Sequence, residues 1–195
     1  RRQSPDAPLP YVPGTDVAGE VEALGEGVTA FAPGDRVVAI HLHGGYAEKT
    51  AVLAGLAARV PEGVSFEQAA ACPVAGLTAH FLCEDLRVGE GTTALVHAAA
   101  GSVGCFLGAL LRERGARSIG LVSTAEKAEI ARAAGHPAVV NRREEDVAAR
   151  VSELTEGRGV DVVYDSVAGP DFARSFAVLA PERTVVLFDR AASEP

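Results

Sequence analysis

From residue 92 onward, apolar runs of strand length alternate with stretches whose apolar positions recur every three or four residues, so strands and helices are predicted in turn. Strands are expected at 92–97, 117–122, 138–141, 160–165 and 184–188. Between them, residues 102–114 place Val103, Phe106, Leu107, Leu110 and Leu111 on one helical face. Further helices are expected at 125–134, closed by Gly135, at 144–155, with Val147, Val151 and Leu154 on one side, and at 171–179, stopped by Pro181. Such regular alternation predicts a parallel sheet with helices on both faces, the doubly wound α/β class.

The earlier part of the chain has a different pattern. Residues 11–60 are punctuated by Pro13-Gly14, Pro33-Gly34 and Gly44-Gly45, and Val17, Gly19, Val21 and Ala23 alternate with Ala18, Glu20 and Glu22, the period of a half-buried strand. Strands at 36–40 and 47–52 are expected as well. Ser65 and Gln68 stand at capping-box spacing before a helical stretch that Pro73 interrupts, and Leu77, Phe81 and Leu82 continue it. A β-rich segment therefore leads through a connecting helix into the α/β part. No internal repeat or low-complexity tract is visible.

The richest chemistry lies where the first α/β strand feeds its helix. Ala98-Ala-Ala-Gly-Ser is built of small residues, so that backbone N–H groups at the helix start can approach a pyrophosphate and offer it the positive end of the helix dipole. Gly101 and Gly104 supply that closeness, while Ala99 stands where a full dinucleotide fingerprint has its first glycine. An ordinary tight turn is the competing reading. At the end of the second strand, a site built for NADH places an acid on the ribose 2′-hydroxyl, about twenty residues beyond the glycines. Here that place holds Ser123, followed by Thr124 and Lys127. A serine, helix N–H groups and a lysine attract a 2′-phosphate, so NADPH is expected rather than NADH.

Composition narrows the class. With 48% hydrophobic and 23% charged residues the chain reads as globular, and a net charge of −8 argues against nucleic acid or an acidic membrane as partner. No apolar run approaches the ~20 residues of a membrane span. Cys72, Cys83 and Cys105 are odd in number and lack C-x-x-C spacing, which predicts a disulfide-free, cytoplasmic protein. The absence of methionine predicts a piece of a longer chain.

Several motifs in order resemble one family. Pro13-Gly-Thr-Asp-Val-Ala-Gly-Glu-Val, Pro33-Gly-Asp-Arg-Val, Gly76-Leu-Thr-Ala, Val96-His-Ala-Ala-Ala-Gly-Ser-Val-Gly, Asn141-Arg-Arg-Glu-Glu-Asp and Val162-Val-Tyr-Asp-Ser-Val are similar to the zinc-independent quinone oxidoreductase branch of the medium-chain dehydrogenase/reductase superfamily. The resemblance implies part of a GroES-like β-rich domain at 1–75, followed at 76–195 by a Rossmann NADPH-binding domain lacking its last strand. It also implies a small-molecule quinone or α,β-unsaturated carbonyl as substrate, and a homo-oligomer or partner chain that supplies the missing strands. Carried over by position, it puts Thr78, with His80 nearby, at the nicotinamide end. Gly101, Ser102, Val103 and Gly104 fall at the pyrophosphate, Ser123 and Lys127 at the 2′-phosphate, and Ser166, Val167 and Phe188 on the remaining cofactor wall.

Two positions depart from the family pattern. Arg142 replaces a tyrosine near the adenosine end, where an arginine can pair with the 2′-phosphate. Asp189 replaces a glycine where backbone nears the nicotinamide, and its charge would obstruct the cofactor. No zinc ligand set is present: Thr15 stands near where the zinc enzymes carry histidine, and His41 and His43 lack a third ligand close by. His80, His97 and His136 show no triad spacing, and no catalytic acid or base is assigned. Two readings stand. One is an NADPH-dependent quinone or enone reductase, alone or as the enoyl reductase of a larger biosynthetic enzyme. The other is a non-redox scaffold or repurposed reductase fold with its cofactor site damaged at Asp189.

Overall fold

The computed structural model describes residues 10–41, 43–168 and 172–188. Its contacts divide the chain into two compact units, Arg1–Leu77 and Thr78–Pro195. In the first, β1 (Asp16–Glu20), β2 (Arg36–Ile40) and β3 (Ala57–Arg59) form an antiparallel sheet in that order. A short 3-10 turn at Ala54–Leu56 precedes β3. The strand expected at 47–52 does not form: this mostly exposed segment pairs with none of β1, β2 and β3. The alanine-rich β3 gave no strand signal in sequence; pairing with β2 makes it one.

Helix α1 (Phe66–Ala70) begins with the expected capping box, Ser65 accepting from the Gln68 N–H and the Gln68 side chain accepting from the Ser65 N–H. Arg36 ties this corner to the sheet, donating to the Val64 carbonyl at 2.6 Å and lying 4.6 Å over the Phe66 ring. Helix α2 (Pro73–Asp85) follows, the chain breaking between the two where Pro73 lacks an N–H to donate. The Asp16 carboxylate accepts from the Val74 N–H at 2.8 Å, capping the start of α2 from β1.

The second unit is a five-stranded parallel sheet in the order β6-β5-β4-β7-β8. Its elements are β4 (Thr93–Val96), α3 (Ser102–Glu113), β5 (Arg117–Val122), α4 (Ala125–Ala133), β6 (Ala138–Asn141), α5 (Val147–Leu154), β7 (Val160–Asp165), α6 (Arg174–Ala177) and β8 (Leu179–Leu187). The strands are near-continuous apolar runs because both faces are covered. Ala94, Val96 and Tyr164 pack with Leu107 and Leu111 of α3 and Ala128 and Ala131 of α4. Leu95, Ile119, Val140 and Val163 pack on the other face with Val151 of α5 and with Val178. These layers are the Rossmann-like arrangement, preceded by a β-rich unit. Among the described residues no helix is long and apolar enough to cross a membrane.

Two helices differ from expectation. α5 starts at Val147, not residue 144, because Asn141 draws residues 143–145 into a turn and Asp146 caps the helix at the Ala149 N–H. α6 ends at Ala177 and Pro181 lies inside β8, not beyond a longer helix. The β7–β8 register jumps there, Val160 pairing with Leu179 but Val162 with Thr184. A residue without an N–H is tolerated in such a bulge, and Glu182 beside it takes φ +60°. The helix start expected at Asp171, and Asp189, lie outside the described residues.

Candidate functional site

The sheet reverses its winding at β4, whose neighbours are β5 on one side and β7 on the other. In open α/β sheets the crevice beyond the strand ends at such a reversal is where ligands bind. A cavity of about 440 Å³ lies there. His97, Ala98, Ala100 and Gly101 line it after β4; Ser123, Lys127 and Arg142 line it beyond β5 and β6. Asp165, Val167 and Ala168 contribute from the end of β7, and Arg174, Ser175 and Val178 from in and after α6.

The turn after β4 is fixed to both neighbouring strands. The His97 N–H donates to the Tyr164 carbonyl at 2.9 Å, and the Ala99 N–H to the Leu121 carbonyl at 3.2 Å. Ala98 takes φ +48° to make the bend. Gly101 is the N-cap of α3 and no side chain caps this helix, so its first N–H groups have no side-chain acceptor and could serve an anion. Gly104 is required by contact. A Cβ there would lie 2.5 Å from the Ala98 carbonyl oxygen and 2.7 Å from the Ala99 Cα, backbone that cannot yield without moving the turn.

Behind this turn sits His136, buried, with Nδ1 2.9 Å from the Ser118 hydroxyl and Nε2 3.0 Å from the Gly104 carbonyl. The carbonyl requires an Nε2–H donor, and burial disfavours the imidazolium, so Nδ1 accepts from the Ser118 hydroxyl. Burial pushes its pKa below 6.5, opposed by the bond to Gly104. Gly108 makes room for the ring, since a Cβ there would meet Nε2 at 2.7 Å.

Beyond β5, Thr124 caps α4 by accepting from the Lys127 N–H at 3.2 Å, which leaves the exposed Lys127 side chain at the cavity rim beside half-buried Ser123. The Arg142 N–H donates to the Val122 carbonyl at 3.0 Å, bringing this exposed arginine to the same wall. The structure thus gathers Gly101, Ser123, Lys127, Arg142 and Val167 on one cavity, with Ser102, Val103 and Gly104 in the first turn of the adjoining helix. Ser166 lies between two lining residues without lining the cavity itself. Thr78, half-buried on α2, exposed His80 and Phe188 do not line it. Phe188 follows β8 and donates its N–H to the Asp165 carbonyl at 3.1 Å.

Sequence reasoning missed a buried polar group at the floor of this cavity. The Asp165 Oδ1 accepts from the Val167 and Ala168 N–H groups, both at 2.9 Å, and Oδ2 accepts from the Ser175 hydroxyl at 3.0 Å. The His97 Nδ1 lies 3.5 Å from Asp165 Oδ1, and its Nε2 lies 3.3 Å from Ser175 Oγ. Burial pushes the His97 pKa below 6.5; Asp165 opposes that and Arg142 adds to it. The available signal was local: His97 directly follows the mostly apolar β4, and Asp165 ends β7 after the apolar run Val162-Val163-Tyr164. Ser175 gave none. The trio is no hydrolytic triad, because Ser175 is buried and its hydroxyl is spent on the aspartate itself.

Among the described residues no group of three or more His, Cys, Asp or Glu side chains is placed to hold a metal ion. His41 and His43 have ring centroids 5.7 Å apart, with the Tyr11 ring tilted against the second at 5.9 Å.

Comparison with known proteins adds the following. The family model "Alcohol dehydrogenase GroES-like domain" matches residues 1–79, and "Zinc-binding dehydrogenase" matches 102–192. The quinone oxidoreductase of Pseudomonas aeruginosa is 42% identical over 94% of this chain and 58% of its own length. A 2-haloacrylate reductase from a Burkholderia species is 36% identical over 93% of this chain and 56% of its own. The crystal structure of Escherichia coli quinone oxidoreductase complexed with NADPH superposes with a TM-score of 0.89 at 39% identity, covering 96% of this chain and 58% of that one. The chain spans less than three fifths of the length of these relatives.

Proposed function

Since the chain belongs to the quinone oxidoreductase branch of the medium-chain dehydrogenase/reductase superfamily, we propose that its protein is a reductase that passes a hydride from NADPH to a quinone or an α,β-unsaturated carbonyl. The cavity at the sheet reversal carries this reading: an uncapped helix start stands at one side and two cations at the other, with no acid beside Ser123. The residues fit the cofactor. Close packing at Gly104 holds the turn where only bare backbone can approach a pyrophosphate, and Ser123, Lys127 and Arg142 offer hydrogen bonds and positive charge to a 2′-phosphate.

The bound dinucleotide supplies the hydride, and the protein supplies binding, orientation and exclusion of water. In this proposal Ser102, Val103 and Gly104 bind through their backbone N–H groups, and Val167 forms apolar wall. Thr78, Ser166 and Phe188 are assigned to the rest of the cofactor path on the family resemblance alone. The two relatives named above, a quinone oxidoreductase and a 2-haloacrylate reductase, motivate both substrate classes. The deciding assay follows NADPH oxidation at 340 nm by the full-length protein with a quinone panel and an enone panel. Turnover with either class supports the proposal; NADPH oxidation with neither would contradict it.

A further inference from the structure

His97, Asp165 and Ser175 come from the ends of the paired strands β4 and β7 and from α6, and all three line this cavity. Every polar contact among them has a task. The Asp165 carboxylate takes two backbone N–H groups of the 166–168 turn, whose Val167 and Ala168 line the cavity. Ala168 has φ +51°, a left-handed conformation that a non-glycine residue holds only when its surroundings enforce it. Ser175 and His97 in turn hold Asp165.

The proton count of the trio is incomplete. Ser175 donates to Asp165, so its oxygen accepts from His97 Nε2–H, and in the neutral ring Nδ1 then turns a lone pair toward the carboxylate 3.5 Å away. One added proton replaces that repulsion with an ion pair between the imidazolium and Asp165. Other charges around the ring are set against it: Arg142 disfavours the imidazolium, and Lys127 and Arg174 line the same cavity. Phosphate groups entering among these cations would reverse that balance.

Resting on the reading of this cavity as a dinucleotide site, we propose that Asp165, His97 and Ser175 form a positioning unit. Asp165 fixes the 166–168 turn against the cofactor, and His97 completes the unit by taking one proton from solvent when the dinucleotide's phosphates arrive. None of the three exchanges a proton with substrate. The unit acts through the turn.

The test uses the full-length protein and NADPH itself. Two-dimensional NMR of the imidazole nitrogens identifies the His97 signals by their loss in His97→Gln, and pH titration is run with and without saturating NADPH. The expected result is an upward shift of the His97 midpoint by about one pH unit on binding, with a matching affinity gain of about tenfold toward low pH that His97→Gln abolishes. Ser175→Ala should reduce the shift while preserving binding, which separates the unit from a fold defect. Lys127→Ala should weaken binding and leave the shift in place. An unmoved His97 midpoint in protein that binds NADPH overturns the inference and spares the functional reading, whereas no NADPH binding at any pH overturns the functional reading and this inference with it.

Discussion

At the scale of single residues, the cavity shows two kinds of legibility. Gly101, Ser123 and Lys127, which line the cavity, and Gly104 in the adjoining helix turn were singled out from sequence because the pattern of a strand-to-helix turn is local: small residues at the bend, and a marked position at the next strand's end. Asp165, His97 and Ser175 were not, because sheet order alone brings them together, and nothing in sequence spacing encodes that β4 lies beside β7. Lys127 gives the sharpest residue-level prediction. Lys127→Ala should weaken NADPH binding by about 1 kcal/mol, the worth of one partly solvated charge-assisted hydrogen bond, and leave NADH binding nearly unchanged. Equal weakening of both cofactors, measured by fluorescence titration, would mean that Lys127 does not read the 2′-phosphate. Arg142→Ala should act in the same direction.

At the scale of elements, strands buried on both faces were placed within a residue or two from pattern alone, as β5, β6 and β7 illustrate. Elements defined by partners were not: β3 exists because β2 has a free edge, and the bulge at Pro181 lets β8 begin before the proline expected to precede it. The seating of α3 on β5 depends on His136, which bridges the Ser118 hydroxyl and the Gly104 carbonyl. Burial holds its folded-state pKa below the ordinary 6.5. The unfolded chain therefore takes up this proton first as pH falls, and the stabilisation is full above about pH 6.5 and lost progressively below it. His97, also lowered, adds in the same sense. Urea unfolding of the protein without cofactor should give stability declining from pH 7.5 to pH 5, with a shallower decline in His136→Gln, itself less stable at pH 7.5. An identical pH dependence in the variant would remove His136 from the account.

At the scale of the whole molecule, charge and site oppose one another. The chain carries a net −8, yet Lys127, Arg142 and Arg174 line a cavity whose one carboxylate among the described residues, Asp165, is occupied by three donors. Local positive charge within an acidic molecule suits an anionic ligand and makes its binding salt-dependent. NADPH affinity should fall as ionic strength rises from 20 to 300 mM, on the order of severalfold or more, and a titration series at fixed pH checks it. The α/β alternation, the β-rich lead-in and the ordered family motifs make this architecture legible in the sequence, since each rests on pattern rather than on contacts. The obstruction anticipated at Asp189 falls outside the described residues, so the integrity of the cofactor site is decided by binding itself.

The central claim is that this cavity takes NADPH and reads its 2′-phosphate. Calorimetric titration of the full-length protein with NADPH and, separately, with NADH tests it most directly. The account predicts one NADPH per chain, bound at least about tenfold more tightly than NADH, the worth of one to two charge-assisted hydrogen bonds. Equal or tighter binding of NADH, or no binding of either, would contradict it.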